Sequence, residues 1–259
     1  MLKRFALPAA VLAAILGTAA PGATATTAPA PAAPAAVAAA PEVDPVIVVA
    51  GFGSPAIGAW PLAKRIGFAT GAETYTSVGS RYSGLGSIVD GAKDLAVLVD
   101  NVLEETGASQ VDLVGISMGG LTARQYIKFE GGDGKVDRIA TVVTPNYGTN
   151  RASLAEYLDC VGIAPCKQMA IGSDFLKALN GDDDTYGSAT YATFRTNWDE
   201  VVVPIDSVKL NSGATNVFYQ DHCPFRFTEH LLAALDGAMA DGVIDFLKGQ
   251  EIKLNCWAF

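Results

Sequence analysis

The apolar positions of this chain fall into two alternating rhythms. Val46-Ile-Val-Val-Ala50 is a continuous, mostly β-branched apolar run, as expected of a strand buried on both faces of a parallel sheet. Similar runs are Val111-Asp-Leu-Val-Gly-Ile116, Val136–Thr144, Tyr191–Thr196 and Thr215–Gln220, and "GAETYTSV" after Thr70 reads as a further strand. Between them the period lengthens. Ile88, Ala92, Leu95, Val99 and Val102 recur at three- to four-residue steps, predicting a helix capped by Ser87 and ended by Gly107. Helices are also expected over 55–66 and 118–129. A closing helix is expected over 229–248, with Leu232, Leu235, Met239, Val243 and Phe246 on one side. Strands alternating with helices predict an α/β fold: a mostly parallel central sheet with helices on both faces. The pattern loosens between about 146 and 188, a plausible insertion beside a site that holds Cys160, Cys166 and an acidic "GDDD" run. There is no internal repeat.

The N-terminus breaks both rhythms. Lys3 and Arg4 precede the apolar run "FALPAAVLAAILG", and "ATA" at 23–25 has the small-residue spacing of a signal-peptidase site. The run is short for a membrane span, so the expectation is export, with a signal peptide over 1–25 cleaved near Ala25. Residues 26–44 are rich in Ala and Pro, which disfavours helix and predicts an extended linker. That leaves 45–259 as the folded, catalytic domain.

The net charge is -9, and removal of residues 1–25, which hold two basic and no acidic residues, makes the chain more acidic. No basic cluster invites nucleic acid. Four cysteines suit an oxidising compartment. They allow three pairings, of which Cys160–Cys166 and Cys223–Cys256 are favoured: the first closes a short loop and the second ties down the C-terminus. With no C-x-x-C and two histidines in the chain, a zinc site is weak, and no metal or other cofactor is expected.

The chemistry concentrates at "VDLVGISMGG", 111–120. Here Ser117 sits between Gly115 and Gly119, after a predicted strand and before a predicted helix. That is the strand–turn–helix context of a G-x-S-x-G nucleophile elbow. It places the Met118 N–H at a helix start, where a developing negative charge is favoured. A second oxyanion donor belongs on the loop after an early strand, and the Phe52 N–H in "AGFG" fits. A base must be His222 or His230, both after the last predicted strand, and spacing does not separate them. The acid belongs between serine and histidine. Asp199 follows a strand directly, with Glu200 and Asp206 as rivals.

Taken together, "VVAGFG", "DLVGISMGG", "KVDRIATVVTPNYGT", "WDEVVVP" and "QDHCPFRFTEHLLAALD" resemble the secreted α/β-hydrolase lipases over roughly 45–256. The likeness is to the actinobacterial-type extracellular lipases and the yeast lipase B group. This resemblance implies a cofactor-free triacylglycerol lipase or carboxylesterase. It implies Ser117 as nucleophile, Asp199 as acid, His230 rather than His222 as base, and Phe52 and Met118 as the oxyanion backbone positions. It also implies the Cys223–Cys256 bridge. The chain departs at Ala50-Gly51, where many bacterial relatives carry His-Gly and the yeast group does not. The expected substrate is an apolar ester or lipid, met by a monomer with transient contact at a lipid interface. Phe225, Phe227, Leu231 and Leu232 flank His230 as candidate acyl-pocket residues, although core burial is the commoner fate of such side chains. A polyester depolymerase, an acyltransferase or a non-catalytic binding protein on the same frame are the alternatives.

Overall fold

A computed structural model describes residues 43–150, 154, 160 and 162–258. The predicted signal peptide and most of the predicted linker lie outside the described residues. Among the described residues, six strands form one sheet in the order β2-β1-β3-β4-β5-β6. They are β1 (Val46–Val49), β2 (Thr74–Ser77), β3 (Val111–Ile116), β4 (Val136–Val142), β5 (Thr190–Arg195) and β6 (Thr215–Phe218). Every neighbouring pair is parallel.

The continuous apolar runs are explained by two-sided burial. Val46 and Val48 face one core with Val114 and Phe194. There they meet Leu62 and Ile66 of α1 (Trp60–Thr70) and Met239 and Val243 of α6 (Gly237–Leu247). Ile47 and Val49 face the opposite core with Leu113 and Ile139. They pack on Leu95 and Val99 of α2 (Ile88–Thr106) and on Ala123 and Tyr126 of α3 (Met118–Phe129). Alternate residues of one strand thus serve two helix layers.

The sequence-level boundaries of α2 hold. The Ser87 side chain accepts a hydrogen bond from Val89 N, and Gly107 ends the helix with φ 70°. The first helix differs: a 3-10 turn at Ala56–Ala59 leads into α1, which runs on to Thr70. The closing helix also differs. It begins at Gly237, because the Asp236 side chain accepts from Met239 N and caps it there. Residues 230–235 form turns instead, and Leu232 and Leu235 are exposed rather than on a buried helix face.

In the loosened segment, α4 (Ala164–Met169) and α5 (Asp174–Asn180) pack Cys166, Met169 and Leu176 against Met118 and Leu121 of α3. The described part of this segment is therefore anchored to the helix that begins at Ser117. Cys160 is bonded to Cys166 and Cys223 to Cys256, each pair with its Cα atoms 5.5 Å apart. No described helix is long and apolar enough to cross a membrane.

Candidate active site

Four loops leave the C-terminal ends of β1, β3, β5 and β6 and converge. Ligands of open α/β sheets bind at that edge, where the strand order reverses, and here the reversal lies between β1 and its neighbour β3. Ser117 directly follows β3 at φ 51° and ψ -124°, a conformation costly for a residue with a side chain. The chain makes room for it with glycine. A Cβ on Gly115 would fall on the Gly120 backbone, and one on Gly119 would fall on the Val49 carbonyl oxygen. The turn therefore closes only with these two residues bare, and it lifts the hydroxyl clear of the sheet.

The Ser117 Oγ lies 2.9 Å from His230 Nε2. His230 Nδ1 lies 2.9 and 3.0 Å from the two Asp199 carboxylate oxygens. Asp199 Oδ1 also accepts from Val201 N and Val202 N, at 3.0 and 2.8 Å, which fixes the carboxylate before the imidazole reaches it. Relative exposures of 9 % for Ser117, 5 % for Asp199 and 4 % for His230 show that the line is sheltered from water. A parallel bridge between Trp198 and Glu229 brings the acid and histidine segments side by side.

The β1 loop lies against the nucleophile: a Cβ on Gly51 would stand 3.7 Å from Ser117 Oγ. Phe52 lines the same cavity as Ser117 and His230. Met118 is the first residue of α3, so its N–H has no carbonyl partner within the helix. The cavity measures about 170 Å³, and Ile116, Leu231, Ala234 and Leu235 supply much of its apolar wall.

The rivals separate cleanly. His222 is exposed on the helical turn Tyr219–His222. Asp206 is exposed and lies 3.3 Å from Lys209 and 3.7 Å from Arg195. Glu200 sits beside the triad, but its carboxylate accepts from the His230 backbone N–H at 3.2 Å rather than from the ring. Of the four flanking apolar residues, Leu231 lines the cavity, and Phe225, Phe227, Leu231 and Leu232 are all exposed rather than core. Ile116 and Ala234 carried no sequence signal for this wall, since each looked like a strand or helix residue.

A parallel sheet with a strained serine at the β3–α3 elbow defines an α/β-hydrolase. Within that class, the model of the lipase (class 2) family matches residues 89–231, more than half of the chain, and the protein belongs to that family of lipolytic hydrolases. The fold is similar to Aspergillus fumigatus lipase B, with TM-score 0.71 and 20 % identity over 83 % of this chain and 54 % of that one. The chain thus spans about half the length of the Aspergillus protein. It is similar to a Bacillus licheniformis lipase in mature form, with TM-score 0.60 and 17 % identity over 80 % and 90 % of the two chains. It also resembles the monoacylglycerol lipase of Paleococcus ferrophilus, with TM-score 0.52 and 13 % identity over 80 % and 95 %. At these identities the likeness is one of fold. No sequence among curated proteins matches the chain.

Proposed function

We propose that the protein is a secreted carboxylic ester hydrolase of the triacylglycerol lipase and esterase type, acting through Ser117, His230 and Asp199. The observation that carries this reading is the unbroken hydrogen-bonded line from Ser117 Oγ through the His230 ring to Asp199, opening into an apolar cavity. His230 Nε2 takes the serine proton as the hydroxyl attacks the ester carbonyl. Asp199 holds the tautomer with Nδ1 protonated and stabilises the imidazolium. The Phe52 and Met118 N–H groups hold the oxyanion, the latter aided by the α3 dipole. The alcohol leaves with the proton from His230, and water then releases the acid from the acyl-serine by the same steps in reverse. No residue of this mechanism calls for a cofactor.

The cavity wall favours an apolar acyl group. Exposed Leu231, Leu232 and Leu235 beside the mouth suit transient contact of a monomer with a lipid surface. Export is supported by the two disulfides, which suit an oxidising compartment, and in this reading cleavage near Ala25 precedes a catalytic domain over 45–259.

A panel of p-nitrophenyl esters from short to long acyl chain, with fluorophosphonate labelling, tests the reading. Wild type is expected to hydrolyse esters and to be labelled at Ser117. Folded protein that does neither would make the chain a binding protein. Transfer to an added alcohol in place of water would make it an acyltransferase.

A further inference from the structure

We propose that Glu200 is a positioning residue for the site read above as an ester hydrolase: its carboxyl clamps the backbone of the histidine loop onto the loop that carries Asp199. The inference rests on that reading for its kinetic consequence and on geometry for the clamp itself. Consecutive residues of one loop grip His230 at two points. Asp199 takes the ring Nδ1 at 2.9 Å, and Glu200 Oε2 accepts from the main-chain N–H at 3.2 Å. Glu229, bridged to Trp198, sends its own carboxylate to Leu231 N and Leu232 N at 2.9 and 3.2 Å. Two acidic side chains thus tie down three successive N–H groups of the segment that holds the base.

That segment needs such ties. It is a run of turns rather than helix, and Leu231 and Leu232 are 71 % and 50 % exposed, so their side chains anchor little. Without the clamp, the His230 main chain loses its own tie to the acid loop, and the Asp199 contact must hold the ring 2.9 Å from Ser117 with only the neighbouring residues anchored.

Burial raises the Glu200 carboxyl above its ordinary range, backbone N–H groups oppose that, and Glu229 adds to it. Among the described residues, the ionisable side chains of the two joined segments are Asp199, Glu200, Glu229 and His230. A carboxyl raised in the folded state contributes stability that is present at acid pH and lost as pH climbs through the folded value. Glutamine at 200 keeps the acceptor for His230 N and does not titrate.

The test compares wild type, Glu200→Ala and Glu200→Gln on a soluble ester, with melting curves from acid to mildly alkaline pH. Glu200→Ala is expected to lower kcat by about ten- to a hundredfold with KM little changed, the scale of a displaced catalytic group. Glu200→Gln is expected to keep kcat near wild type. Its Tm should match wild type at acid pH and exceed it increasingly as pH rises. Wild-type kcat in Glu200→Ala, Glu200→Gln as slow as Glu200→Ala, or a Tm difference independent of pH would each overturn the clamp. If Glu200→Ala does not fold, the glutamine variant still decides. A wild type that cleaves no ester sinks the hydrolase reading instead, and the melting series then judges the clamp alone.

Discussion

The two edges of the sheet bury ionisable groups in opposite ways. At the C-terminal edge, the Asp199 carboxylate is buried, but its oxygens receive two backbone N–H groups and the His230 ring. At the N-terminal edge, Asp112 is wholly buried near the start of β3. One of its oxygens accepts from Arg138 N at 2.9 Å, and the other has no partner. Asp44 and Asp137 bring further carboxylate oxygens to within 4.8 Å, and of the three Asp137 has the nearest cation, Arg138 at 2.5 Å. Burial first, then the charge of Asp44, push the Asp112 carboxyl up to about 8. Burial alone therefore does not mark a site. What distinguishes the working edge is that the acid is supplied with donors in advance, and that the serine is held in a strained turn facing it.

The largest effect should come from breaking the line of three at the working edge. Ser117→Ala is expected to lower kcat by about 10⁴- to 10⁶-fold with the fold intact, the range found when a triad nucleophile is removed. Asp199→Asn should cost roughly 10⁴-fold, because an amide at that position favours the wrong imidazole tautomer. Ester turnover against melting temperature checks both. A variant of either residue with near wild-type turnover would dissolve the contrast between the edges.

The elbow glycines come next, since they convert sequence directly into geometry. Gly119→Ala sets a methyl group onto the Val49 carbonyl oxygen, and the backbone has no slack there. The expected cost is about 1–3 kcal/mol of stability, as for overpacking elsewhere, together with a loss of activity as the serine is displaced. Denaturant melts alongside turnover measure both, and a fully stable, fully active Gly119→Ala would show that the turn tolerates a side chain.

Much of this was legible in the chain because local chemistry and global fold agree. Continuous apolar strands announced a two-sided parallel sheet, and the G-x-S-x-G turn announced the elbow. Asp199 stood out by following a strand directly, but its choice over Asp206 and Glu200, and that of His230 over His222, was firmed by the resemblance. Their separation depends on exposure and on the Trp198–Glu229 bridge, a contact between residues far apart in sequence. The closing helix was read eight residues too early because Leu232 and Leu235 continue its period, whereas the Asp236 cap sets the start. Glu200 read as a rival acid, because composition cannot tell a carboxylate that meets a ring from one that meets the backbone of the same residue. Asp112 gave no signal at all: one polar residue in a strand looks like ordinary alternation.

Asp112→Asn is the smallest change and sharpens the comparison most. The Asp112 carboxyl titrates near 8 in the fold against an ordinary value near 4 in the unfolded chain. Below about pH 4 both states are protonated, and the full stability is present. Between roughly pH 4 and 8 the folded state must hold a proton that the unfolded state gives up, so stability falls as pH rises through this window. Asparagine keeps the acceptor for Arg138 N, turns an N–H toward the neighbouring carboxylates and does not titrate. It should therefore melt with wild type at pH 4 and higher than wild type at pH 7. The gap is at most about 4 kcal/mol by the linkage relation, and roughly half of that is a reasonable expectation after local relaxation. Ester turnover should be unchanged, because the residue sits at the edge opposite Ser117. A melting temperature that is lower, or equally displaced at every pH, would show that the ionised carboxylate is tolerated there, and the two edges would then differ in chemistry but not in electrostatic cost.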